Sequence, residues 1–154
     1  MGSTQNSELK NSNHDQIYNH FVKIVESLVG NGETHSANLE KVGKEMFDKK
    51  FAGVFAADTI PKSTNFKYCI ANLDNSDQPG SHWVAMARLP GPKRYLVYDS
   101  FGRSTSEILP DLQVPNEQTE QDAEQKREED NCGARCLAWL TMFDMFGPDV
   151  ARQI

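Results

Sequence analysis

A histidine, an aspartate and a cysteine stand in this chain with the spacing that nucleophilic catalysis needs. His82 opens the run HWVAMARL, Asp99 closes the run RYLVYD, and PGPK joins the two. Both runs have the aromatic, β-branched and apolar content of strands, and Pro-Gly between them marks a turn. With a four-residue loop, Leu89 opposes Arg94, His82 opposes Phe101 and Asp99 opposes Val84. Side chains alternate along a strand, so His82 and Asp99 share a face as diagonal neighbours. A loop of odd length would put them on opposite faces. Once paired, the carboxylate holds the imidazole in one tautomer and stabilises the imidazolium. Taken singly, each has a plainer reading: a hydrogen-bonded or solvent-facing histidine, and a turn residue before Ser100.

Cys132 is the candidate nucleophile. It begins the run NCGARCLAWLTMF, with Asp130 and Asn131 as candidate helix caps and Gly133 behind it. A thiolate at a helix N-terminus is stabilised by unpaired backbone N–H groups and the helix dipole, and a nearby histidinium adds to this. Gly133 leaves room for a substrate backbone to approach. Cys69 and Cys136, by contrast, sit among apolar neighbours as structural cysteines do. Cys132 and Cys136 lie one helical turn apart, but a metal site needs further ligands, and His14, His20 and His35 lack ligand spacing. No metal and no other cofactor is expected.

The elements that must position these residues read as follows. Residues 1–14 are polar and expected to be flexible, and 15–154 form one domain. Ile17, Phe21, Ile24, Val25 and Leu28 predict a helix over 15–29. Leu39, Val42, Met46 and Phe47 predict a second over 36–47, with Ser36 as its cap. Phe51 to Ile60 reads as irregular chain ending at Pro61, and Phe66–Asn72 as a strand ahead of the hairpin. Residues 103–130 lack periodicity, and 117–130 carry seven acids against two bases, a solvated loop. Asn131–Phe146 is apolar nearly all round, a buried helix that Gly147-Pro148 ends. Helices, an antiparallel meander and a buried helix make an α+β fold, with helices over 15–47 and a sheet and catalytic core over 48–146.

Bulk properties narrow the class. The 154 residues suffice for one domain with a real core. A net charge of −6 argues against non-specific binding of nucleic acid by the whole surface. Three cysteines without a secretion signal argue against a disulfide framework and for a reducing compartment. No run approaches the ~20 apolar residues of a membrane span, so no membrane association is expected.

HWVAMA, then YLVYDSFG, then a glutamine seven positions before Cys132, together resemble the adenovirus maturation proteases (adenain). Those enzymes share one cysteine-protease fold with the SUMO and ubiquitin-like-protein proteases. DKKFAGVF, FKYCIANLDNSDQPGSHW and CGARCLAWLTMF extend the likeness over residues 48–146, about two thirds of the chain. The resemblance implies a small, mostly antiparallel central sheet with the nucleophile at the N-terminus of a buried helix. It makes His82 the general base, Asp99 its orienting acid and Cys132 the nucleophile. Gln125, or Gln121 if the loop is shifted, becomes the oxyanion-hole glutamine, with Trp83 packed beside the site. The adenoviral enzymes carry glutamate where this chain has Asp99; either carboxylate serves.

The implied activity is a viral cysteine endopeptidase that cleaves capsid and virion precursors after small, Gly-containing motifs. Similar proteases occur in virophages and Polinton-like elements, so the expected setting is the host cytoplasm or virus factory and then the virion. A monomer is expected. A peptide and DNA activate the adenoviral enzyme; the acidic composition and short stretch after the nucleophile helix weigh against both here. The alternatives are a deubiquitinating or deSUMOylating isopeptidase, and a non-catalytic binding module. The last would be expected to have lost one of the four site residues.

Overall fold

One continuous helix, α1 (Gly2–Val29), opens the computed structural model, which describes residues 2–29, 36–75, 77, 82–91, 94–120 and 131–154, with side chains from residue 13 onward. It starts well before Asp15, through residues expected to be loose. From Ser3 to Val29 there is neither glycine nor proline, so a helix nucleated by the apolar half propagates through the polar half. The buried seam is Tyr18, Val22, Val25 and Val29; of the predicted stripe Val25 is in it, Ile17 and Phe21 are half-buried beside it, and Ile24 and Leu28 lie outside. Ile24 and Leu28 are 42% and 60% exposed. Both stripes have helical spacing, and packing selects the one that seats the Tyr18 hydroxyl against Tyr98 and Arg135.

Helix α2 (Ser36–Phe47) buries Leu39, Val42, Gly43 and Phe47, as its spacing predicts. A short 3-10 turn leads into β1 (Phe51–Phe55), where irregular chain was expected. Its signal is weak because Ala52 and Gly53 contribute little apolar pattern, and a register shift falls between Phe51 and Val54. Then come β2 (Tyr68–Asn72), β3 (Trp83–Arg88), β4 (Tyr95–Tyr98), the one-turn α3 (Thr105–Ile108) and β5 (Asn116–Gln118). Helices α4 (Cys132–Phe146) and α5 (Pro148–Arg152) complete the chain, with Gly147 between them at φ +88°.

The strands form a single sheet in sequence order. The two inner pairings are antiparallel and the two outer ones, β1–β2 and β4–β5, are parallel. The sheet is therefore evenly mixed rather than mostly antiparallel. β5 lies in the stretch read as aperiodic; three residues with no apolar side chain carry no strand pattern.

Both faces of the three inner strands are covered. Tyr68, Ile70, Ala85, Ala87, Leu96 and Tyr98 pack with α4 and the α1 seam. Cys69, Ala71, Val84, Met86, Tyr95 and Val97 pack under Ile60, Ile108, Leu109 and Val114. α4 is the central helix, buried from Cys132 through Leu140. Its Trp139 stacks on Tyr98 at 5.2 Å and donates Nε1–H to the Ala151 carbonyl at 3.0 Å. Among the described residues, no helix is long and apolar enough to cross a membrane.

Candidate active site

The hairpin has the register a four-residue loop requires: Ala85 pairs with Tyr98 and Arg88 with Tyr95, and Leu89 N–H donates to the Arg94 carbonyl at 2.9 Å. His82 lies at the mouth of β3, its carbonyl accepting from Leu73 N–H at 3.1 Å. Asp99 follows β4. The expected diagonal contact is present, with His82 Nε2 2.6 Å from Asp99 Oδ1. Phe101, the expected cross-strand neighbour, stacks on the imidazole with ring centres 4.7 Å apart.

A turn built around the carboxylate fixes Asp99. Phe101 N–H donates to Oδ1 at 3.1 Å, while Arg103 donates to Oδ2 from its backbone N–H at 3.1 Å and from Nε at 2.9 Å. The Arg103 guanidinium also lies over the Phe101 ring, 5.2 Å from its centre. Burial by itself would raise the Asp99 pKa; the hydrogen bonds from His82 and Arg103 overcome it and hold the value at about 2. An ionised carboxylate only accepts, so His82 Nε2 carries the proton given to Asp99, and Nδ1 is left for the third member.

That member is Cys132, the first residue of α4, whose side chain stands close enough to His82 to favour the charged imidazole. Burial opposes charge on His82, but the bond to Asp99 and the nearby Cys132 outweigh it and raise the imidazole above its ordinary pKa of 6.5. Cys132, His82 and Asp99 are each less than a tenth exposed. The Cys132 amide belongs to the first helical turn, whose N–H groups have no intrahelical acceptor. A sulfur nucleophile, an imidazole able to carry its proton, a carboxylate supporting the imidazole and a backbone donor thus meet at one sheet end.

Other expectations change. Asn131 precedes α4 but makes no side-chain cap bond; its Nδ2 donates to Glu26 of α1 at 2.9 Å and its Oδ1 accepts from Arg135 Nε at 3.1 Å. Gly133 does not keep space for a substrate. A Cβ there would come within 2.8 Å of a Leu39 methyl, so the missing side chain lets α2 close on α4. Trp83 is half-buried on the α4 side of the sheet, packed against the main core. Gln125, Gln121 and Asp130 lie outside the described residues. Gln118 Oε1 accepts from Thr105 N–H at 2.9 Å, pinning α3 to β5.

All three cysteines are free thiols. Burial drives Cys69 and Cys136 far above the ordinary thiol pKa, as expected of structural cysteines. Among the described residues, no three His, Cys, Asp or Glu side chains gather as a metal site. A cavity of about 450 Å³ is walled by Leu73, which follows β2 and donates its N–H to the His82 carbonyl, together with Asn75, Ile60, Ile108 and Leu112. None of the triad lines it. Sequence reasoning missed Arg103, although its place four residues after Asp99 is a readable signal for a turn-closing ion pair. The Glu26–Asn131 link carried no such signal, being 105 residues apart.

No protein-family model matches the chain, and no curated protein matches it.

Proposed function

We propose that the protein is a cysteine endopeptidase of the adenain-like kind, acting on capsid and virion precursor proteins. The observation that carries this reading is the His82–Asp99 hydrogen bond at 2.6 Å with Cys132, first residue of α4, brought beside the same imidazole. In the reaction, the Cys132 sulfur attacks the scissile carbonyl carbon and its proton passes to His82. The carbonyl oxygen takes the negative charge, facing the Cys132 N–H and, by resemblance, the Gln125 amide. His82 then protonates the leaving amine as the C–N bond breaks, leaving a thioester on Cys132. Water, losing a proton to His82, attacks the thioester and releases the acid and the free thiol.

We assign substrate residues flanking the cut to the cavity that Leu73, Ile60 and Ile108 border. The family likeness supports small Gly-containing sequences before it, and a setting in the virus factory and virion. The test is to incubate the purified chain and its Cys132→Ala form with the capsid precursor encoded beside it and read the products by intact mass. Cleavage at one site by the parent and none by Cys132→Ala is the expected result. Equal cleavage by both would refute the assignment. Efficient labelling of Cys132 by ubiquitin- or SUMO-vinyl sulfone would redirect it to an isopeptidase.

A further inference from the structure

The nucleophile helix lacks a side-chain N-cap bond, and the residue just before it is held from another element. Asn131, adjacent to Cys132, spends its amide on a tertiary bridge: it donates to Glu26 of α1 at 2.9 Å and accepts from Arg135 Nε at 3.1 Å. Arg135 in turn donates from Nη1 to the Tyr18 hydroxyl at 3.3 Å. That hydroxyl lies 2.5 Å from the hydroxyl of Tyr98, the residue preceding Asp99. One helix therefore touches the neighbour of the nucleophile and the neighbour of the orienting acid, which lie 33 residues apart in the chain (132 − 99).

Resting on the cysteine-endopeptidase reading, we infer that Glu26 and Tyr18 of α1 are positioning residues for the Cys132–His82–Asp99 line. They touch none of the reacting atoms and act through Asn131 and Tyr98. The chemistry of the network favours this role over simple packing. Tyr18, Tyr98 and Arg135 are 1%, 0% and 7% exposed, so hydrogen bonds among them are strong and directional, and a displaced member leaves buried polar groups unpaired. Arg135 is a buried charge whose position is tied to these partners. Sliding or tilting α1 would move Asn131, and with it the sulfur, relative to an imidazole that the sheet holds in place. Misplacing a reacting group by about 1 Å costs on the order of 10²-fold in rate.

Iodoacetamide alkylation of the full-length protein at about pH 6 tests this without a known substrate, because its rate reads how the Cys132 sulfur is presented to the imidazole and to the reagent. Peptide mapping separates Cys132 from the fully buried Cys69 and Cys136, which serve as internal references. Glu26→Ala and Tyr18→Phe should each slow alkylation of Cys132 by about tenfold or more. Glu26→Gln keeps the Oε1 acceptor and should stay within about twofold of the parent, a rescue that loss of charge alone would not permit. Tyr18→Phe keeps the ring packing, so its thermal midpoint should remain within a few degrees. Parent-like alkylation in both Glu26→Ala and Tyr18→Phe would overturn the inference while leaving the endopeptidase reading intact. Slowing by Glu26→Gln equal to that of Glu26→Ala would also overturn it. A parent Cys132 no faster than free N-acetylcysteine would overturn the endopeptidase reading and the inference with it.

Discussion

His82 and Asp99 share one short contact in which burial and hydrogen bonding oppose each other, and bonding wins at both ends. The native carboxylate titrates at about 2 against an ordinary 3.8, so between those values the native state holds fewer protons than the unfolded chain. Its contribution to stability is complete above the ordinary value and is lost as pH falls through about 2. Thermal midpoints should therefore drop on acidification across this window, and Asp99→Asn should flatten the drop. For His82 the direction reverses. Its raised native value stabilises the fold below 6.5, and that contribution fades as pH rises through the native value. Asp99→Asn should also cut kcat by about 10²- to 10⁴-fold, since an amide no longer enforces the tautomer that leaves Nδ1 unprotonated and able to take the thiol proton. A single-turnover assay on the precursor would measure it; a loss under threefold would remove Asp99 from the mechanism. The pair was legible because hairpin parity is simple arithmetic, whereas Arg103 depends on how a turn closes on its own carboxylate.

Among the elements, α2 is the wedge between β1 and α4, and two glycines set its distances. A Cβ on Gly43 would meet the Phe51 ring at 2.5 Å, and one on Gly133 the Leu39 side chain at 2.8 Å. Gly43→Ala and Gly133→Ala should each destabilise by about 1–3 kcal/mol, the ordinary range for overpacking. Urea unfolding of Gly133→Ala with and without Leu39→Ala separates the clash from helix propensity. The double variant should be less destabilised than the sum of its parts, because removing the Leu39 methyls removes the collision. Additive losses would place the Gly133 effect elsewhere. In the sequence, Gly133 reads as open space for a ligand. Only the approach of α2, 94 residues earlier at Leu39 (133 − 39), reveals what fills it.

Across the whole molecule, the chain ends lock the sheet to its helices. α1 lies against α4, and α5 turns back so that Ala151 and Ile154 are buried at 0% and 2% exposure. Arg152 pairs with Glu117 of β5 at 3.1 Å, and its carbonyl accepts from Glu120 N–H at 2.9 Å. Removing residues 148–154 exposes apolar surface and strips the acceptor from the buried Trp139 indole. The expected loss is at least about 3 kcal/mol, from one buried Ile side chain and one orphaned buried donor. Chemical denaturation followed by tryptophan emission would register it. An unchanged midpoint would mean that α5 adds nothing to the core.

Local chemistry was written in the sequence alone. Strand alternation and loop parity put His82 beside Asp99, all-round apolarity made α4 a buried helix, and its start marked Cys132. Each follows from covalent periodicity acting over a few residues. Tertiary structure decided that Tyr18, Val22 and Val29 rather than Ile24 and Leu28 complete the buried seam of α1, that β1 and β5 join the sheet as parallel edges, and what Asn131 and Gly133 touch. Those outcomes depend on surfaces brought together from distant parts of the chain, where shape and hydrogen-bond partners, rather than residue spacing, determine the lower free energy.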